Sequence, residues 1–376
     1  MVDNIGEGMR RLCSRELQTL VLQIKDGTFE YEDKPKRSID WRSYNEAQLN
    51  ELADMLNMIR NTVNIAAERI TSREKPHKYR GPGRHRIPAV YIVKILLLQG
   101  YFGASDRVAG GYLKVFDTKL GIPQTFSYKT IERGYDPERT KVLLDEVFKL
   151  TNEWSNFNED TASIDGTGDP TTNKVNYESK RSQQRKDAEK KKSAKEVNAE
   201  WPGKKRDFEY DVLGVGRHTK IIGAFSISDD HKIGELTQAY GTLDQLFTNI
   251  PNLGIMLGDS LYANRPFCEK IYEHGAALYS LPKSNSTLSN KGHKDWSRMA
   301  YEFILDPIGF LTTFHGRSIS ETVNSMMKRR ELMPIRRRIT ERKNTAEVLK
   351  INIHNMRQSC YLTYLAPHLT KMSLHG

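Results

Sequence analysis

The chain has 376 residues, 38% hydrophobic and 28% charged, with a formal net charge of +11 and a sequence pI near 9.3. This composition excludes a disordered chain and leaves room for two or three domains with a substantial core. The longest apolar run, around Ala89–Leu98, is broken by Lys94 and is too short to cross a bilayer. Residues Met1–Arg11 carry Asp3 and Glu7 rather than the apolar stretch of a signal peptide. Cys13, Cys268 and Cys360 lie far apart and lack disulfide or zinc-ligand spacing, so a reducing, cytoplasmic setting is expected.

Residues 1–70 read as an N-terminal helical region. Leu49, Leu52, Met55, Leu56, Ile59, Val63 and Ile65 recur at helical spacing, the pattern of a packing or dimer helix. Residues 71–158 read as a basic arm followed by helices. Thr71–Arg86 is rich in Pro and Gly and carries +5, so it is expected to be an extended arm. Val90–Gln99 and Ser105–Val115 are predicted helices, the second with Ser105 as N-cap. Gly121-Ile-Pro123 breaks the chain, and Ser127–Arg133 opens a short third helix with Lys129 and Arg133 exposed. This order resembles a helix-turn-helix DNA reader, although three packed helices are also a common scaffold.

From residue 159 the periodicity changes to that of strands. Thr161–Asp165, Phe208–Gly216 and Lys220–Ser228 are predicted strands, the last two joined by a Gly216–Thr219 turn. Ile233–Phe247 is helical, Gly254–Gly258 a buried strand, Arg265–His274 a helix and Ala277–Pro282 a strand. An amphipathic helix follows from Ser318 to about Leu332. The order β-β-β-α-β-α-β-α predicts an α/β domain, a mixed sheet with helices on its faces, over residues 159–364, with a tail at 365–376. Two further basic runs lie within it, Lys180–Arg206 at +7 and Lys328–Lys343 at +6. With Thr71–Arg86 they sum to +18, leaving the rest of the chain at −7. Charge gathered into patches suits a polyanionic partner, whereas any single run is equally a solvated face.

Two carboxylates close short apolar strands, in Ile164-Asp165-Gly166-Thr167 and Leu257-Gly258-Asp259-Ser260. Strand ends are rigid platforms, and paired Asp residues there suit a hard cation such as Mg²⁺. On the predicted helix at 318–332, Arg317, Glu321 and Lys328 fall on one narrow stripe, with Ile319, Val323, Met326 and Met327 on the opposite face. Taken alone, the stripe is also explained by an i,i+4 ion pair between Arg317 and Glu321.

These residues resemble the signature of insertion-sequence DDE transposases of the insertion-sequence-four and -five type, Tyr-x2-Arg-x3-Glu-x6-Lys. Arg317, Glu321 and Lys328 match it, and Phe314 stands at the Tyr position. Ile164-Asp165-Gly-Thr resembles the strand of the family's first carboxylate, and Gly258-Asp259-Ser-Leu-Tyr262 that of its second. The three carboxylates lie 94 and 62 residues apart. The resemblance implies an RNase H-like fold with Asp165, Asp259 and Glu321 as catalytic metal ligands for Mg²⁺, or Mn²⁺ as a substitute. It also implies DNA contacts from Arg317, Lys328 and Tyr262. The expected activity is metal-dependent cleavage at element ends and strand transfer, on double-stranded DNA, by a homodimer or larger assembly in a prokaryotic, nucleoid-associated setting. The rival readings are an RNase H-like DNA nuclease and an inactive, host-adopted DNA-binding protein. No P-loop, GxSxG or HExxH motif competes.

Overall fold

The computed structural model describes residues 12–31, 39–73, 86–170, 208–228, 233–289, 291–330 and 337–372. Of the extended arm expected at 71–86, residues 74–85 lie outside the described residues, as does the basic insert at 180–206, whereas 71–73 end a helix, Trp41–Arg73, instead.

Five strands form one mixed sheet: β1 (Thr161–Pro170), β2 (Phe208–Gly216), β3 (Ile222–Ser228), β4 (Ile255–Leu257) and β5 (Ala277–Tyr279). Their spatial order is β3-β2-β1-β4-β5. β1 runs antiparallel to β2 and parallel to β4, β2 is antiparallel to β3, and β4 is parallel to β5. The β2–β3 connection turns through Lys220, which takes a positive φ of 60°. The crossovers out of β3 and β4 are helical, α7 (Glu235–Asn249) and α8 (Arg265–Glu273), as parallel pairing requires. This mixed sheet flanked by helices, behind an N-terminal helical region, is consistent with the expected RNase H-like fold.

Alternation along β1 sends Ser163, Asp165 and Thr167 to one face, and Ala162 and Ile164 to the other. The Ala162 face packs on α7 and α8 through Leu243, Leu246, Phe267 and Ile271. The Asp165 face is covered by α11 (Ser318–Arg330) and α12 (Thr340–Leu365), with Val323, Met327 and Ile351 set against Leu213, Val215 and Ile222. The region from 283 to 317, which has no clear periodicity in sequence, forms α9 (Lys294–Leu305), α10 (Pro307–Phe314) and a 3-10 turn, His315–Arg317.

The helical part is α2 (Trp41–Arg73), α3 (Ala89–Tyr101), α4 (Asp106–Leu120), α5 (Tyr128–Arg133) and α6 (Pro137–Ser155). Ser105 caps α4 as expected, its hydroxyl accepting from Val108 N at 3.4 Å, and Gly121 ends the helix in the left-handed conformation at φ 62°. The packing cuts across the boundaries predicted from sequence. The first helix, α1 (Ser14–Lys25), buries Leu17 and Val21 in the core beneath the sheet. At the other end, α12 buries Leu349, Ile353, Met356 and Cys360 among α2, α3 and α6. The last long helix thus belongs to the helical bundle as much as to the sheet, while α1 packs in the core of the sheet.

α12 is wrapped on all sides, which its sequence disguises with polar residues. Several of these find partners within the core. Asn355 accepts from Ile222 N and donates to Ile222 O, His354 bonds Lys220 O, and Arg357 reaches Glu51 at 2.6 Å. Buried polar groups are tolerated when paired in this way. Burial pushes the His354 imidazole down to about 4, so it stays neutral.

Candidate active site

The β1–β4 register aligns Ser163 with Leu257, the last residue of β4; two residues further on, Asp165 is still within β1 and Asp259 lies in the loop after β4. Asp259 leaves the sheet in a tight loop, its Oδ1 accepting from Leu261 N at 2.7 Å and its carbonyl from Tyr262 N at 3.1 Å. Gly258 is required there, because a Cβ would lie 2.9 Å from the Tyr262 ring.

On the other flank of Asp165, β1 and α11 are joined by a polar ladder. Ser163 Oγ meets Ser320 Oγ at 3.1 Å, Asn324 Nδ2 donates to Asp165 Oδ2 at 3.1 Å, and Lys328 Nζ donates to Thr167 Oγ1 at 2.5 Å. The spacing is geometric: every second strand residue advances about 6.6 Å and every fourth helix residue about 6.0 Å. Residues 163, 165 and 167 therefore stay in step with 320, 324 and 328. Asp211, opposite Thr167 on β2, is buried on this same face.

Glu321 stands one residue beyond the Ser320 rung. It is 59% exposed in its side chain and accepts from Arg317 at 3.0 Å, so the i,i+4 pair anticipated from sequence is present. Arg317 sits in the 3-10 turn before α11, with its guanidinium over the Phe314 ring at 5.5 Å. Phe314 itself is buried. Ile319, Val323 and Met327 are buried as predicted, and Met326 is half-buried.

The electrostatics centre on Asp165. Burial, then the negative charges of Glu235, Asp259 and Glu321, push its carboxyl up to about 6, against a smaller downward pull from Arg317. Residues from β1, the loop after β4, α7 and α11 thus act on one carboxyl. Glu235 is the member that motif reading misses. The donor set suits a hard divalent cation: it is all oxygen, and its crowded negative charge is what a cation would offset. Among the described residues, the one group whose metal-ligating atoms all lie within 4.8 Å of one another is elsewhere, Glu159, Asp160 and His218 at the start of β1. There Glu159 Oε2 accepts from His218 N at 2.8 Å, Thr219 N at 2.9 Å and Thr219 Oγ1 at 3.1 Å, so it serves to lock the β2–β3 turn.

Comparison with known proteins adds to this geometry. The chain aligns over 344 residues, 91% of its length, at 24% identity with 94% of a protein of Archaeoglobus fulgidus named as probable transposase for insertion sequence element ISA1214. The chain is thus similar over nearly its whole length to a probable insertion-sequence transposase. No family model and no solved structure matches it.

The remaining residues singled out from sequence lie as follows. Lys129 and Arg133 are exposed on α5, a helix of six residues that follows α4 after the turn at 121–127. Tyr262 is a correction. The resemblance implies a DNA contact, but the residue is fully buried and its hydroxyl is spent on Glu235 at 2.6 Å. The sequence spacing places it correctly beside Asp259, but its aromatic ring is drawn into the core beneath the sheet. No helix among the described residues is long and apolar enough to cross a membrane.

Proposed function

We propose that this chain is a DDE transposase of the insertion-sequence-four and -five type, cutting DNA at the ends of its element and joining those ends to a target. What supports this reading is the polar ladder that sets Asp165 and Thr167 of β1 against α11, the helix that carries Glu321 and Lys328, with Arg317 in the turn before it.

Asp165, Asp259 and Glu321 would hold Mg²⁺, or Mn²⁺ in its place. When bound, the metal supplies the Lewis acidity that activates water or a DNA 3′-hydroxyl and offsets charge on the leaving oxygen. The chain's own residues do the positioning. Asn324 bonds one oxygen of Asp165 and so fixes that carboxylate's orientation on the sheet. Arg317 and Lys328 flank Glu321 from the preceding turn and two helical turns on, where each can exchange its present partner for a phosphate oxygen. Such exchange favours DNA, because charge-assisted bonds to phosphate are stronger than the Lys328 bond to the neutral Thr167 hydroxyl. Exposed Lys129 and Arg133, with the basic runs, would bind backbone without a role in chemistry.

The test is an assay on linear DNA carrying the element's two ends, with a supercoiled target. Transposition requires Mg²⁺-dependent nicks at the ends and covalently joined products. Nicks without joining would replace this reading with that of a nuclease, and binding without nicks with that of a DNA-binding protein.

A further inference from the structure

Glu235 opens α7, yet its carboxylate is held by other elements. Tyr210, from β2, donates to Oε2 at 2.5 Å, and Tyr262, from the loop after Asp259, donates to Oε1 at 2.6 Å. Burial and the neighbouring Glu235 push both phenols up, so both hydroxyls stay protonated as donors. No Lys or Arg side chain pairs with Glu235 among the described residues, Arg317 and Lys328 being engaged with Glu321 and Thr167. A carboxylate so fixed still has a second lone pair on each oxygen.

Its position depends on Gly166. A Cβ there would lie 2.6 Å from Glu235 Cδ and 2.3 Å from Tyr210 Oη, closer than any real contact. Gly166 follows Asp165 directly and faces the α7 side of the sheet. The missing side chain is therefore what brings a carboxylate from that side up against the strand next to Asp165. Two neighbouring acidic groups, one clamped by neutral donors and the other bonded by an amide, form an arrangement that a shared cation stabilises.

We propose that Glu235 is a fourth acidic ligand of the cation site, clamped by the Tyr210 and Tyr262 hydroxyls and admitted beside Asp165 by the bare α-carbon of Gly166. The inference rests on the reading of the Asp165 cluster as a divalent-cation site. It makes the site two-sided, with Glu321 approaching from the α11 face and Glu235 from the α7 face. Any change that fills the space at Gly166 then acts on the metal while leaving every carboxylate in the chain.

The experiment is a Mn²⁺ titration of the metal-stripped full-length protein without DNA, with free ion read by its electron paramagnetic resonance signal. Glu235→Gln should weaken binding by at least about tenfold, the scale typical of lost metal-site partners. Gly166→Ala should weaken it comparably, and Tyr210→Phe by a smaller factor in the same direction. Should Glu235→Gln fail to fold, as judged by circular dichroism, Tyr210→Phe decides, and an unchanged affinity there overturns the proposal. If Glu235→Gln and Gly166→Ala bind like the wild type while Asp165→Asn loses the ion, Glu235 is no ligand and the transposase reading stands. If Asp165→Asn also binds like the wild type, the cation site itself falls, and with it both readings.

Discussion

Replacing Asp165 with Asn should make the metal-free protein more stable at neutral pH while removing its activity. The carboxyl is raised from 3.8 to about 6 in the folded chain. The folded state therefore holds a proton that the unfolded state has released over that interval, and stability falls as pH rises from about 4 to about 6. Above that window the cost is present in full. A shift of about two units corresponds to about 3 kcal/mol, and solvent screening of this partly exposed group reduces it to about 1–2 kcal/mol. In the Asp165→Asn variant the new amide oxygen can still accept the bond from Asn324, so the substitution removes charge without orphaning a partner. Thermal melting in chelator at several pH values reads the effect. The two proteins should melt together near pH 4, and the variant should melt higher by about 1–3 °C above pH 6.5, given the unfolding entropy of a chain this long. Mg²⁺ should then raise the wild type alone. A difference independent of pH, or a variant less stable at pH 7.5, would refute the view that crowded negative charge strains this carboxyl.

Tyr262→Phe should cost about 1–3 kcal/mol of stability, the penalty for removing a buried donor, and leave the salt dependence of DNA binding unchanged, as measured by urea melts and binding isotherms. Lys328→Ala should weaken DNA binding and lower the salt slope by about 0.9 for one lost phosphate contact, whereas Thr167→Val, which removes only its present partner, should do neither. A fragment spanning 39–158 should show poor helicity by circular dichroism until a peptide spanning 337–372 is added, because α12 completes its core.

The strands and helices that position the site are legible in the sequence because their patterns are local. Asp165 and Asp259 follow apolar runs and adjoin glycines, and Val323 and Met327 mark the buried side of α11. Glu235 is not legible. A glutamate opening a helix is ordinary in sequence, and its role arises from Gly166, Tyr210 and Tyr262, which only the folded sheet brings to it. Asn324 is hidden for a related reason. Its polar side chain falls near the charged stripe of α11, and its partner on β1 is 159 residues away. α12 escapes a periodicity reading because hydropathy cannot distinguish a solvated polar residue from one bonded inside a core, as Asn355 and Arg357 are. The packing of α1 into the sheet's core and of α12 into the helical bundle is likewise tertiary, and no local pattern encodes it.

The central claim is that Glu321 serves the chemistry and is more than the partner of Arg317 in a surface ion pair. Glu321→Gln keeps the shape and can still accept from Arg317, but it removes the charge that a divalent ion requires. The direct measurement is nicking and strand transfer by this variant on DNA bearing the element ends, alongside its affinity for the same DNA. Both reactions should be lost, with binding near that of the wild type. Wild-type rates of nicking and joining would contradict the claim and leave Arg317 and Glu321 as an ion pair on a helix.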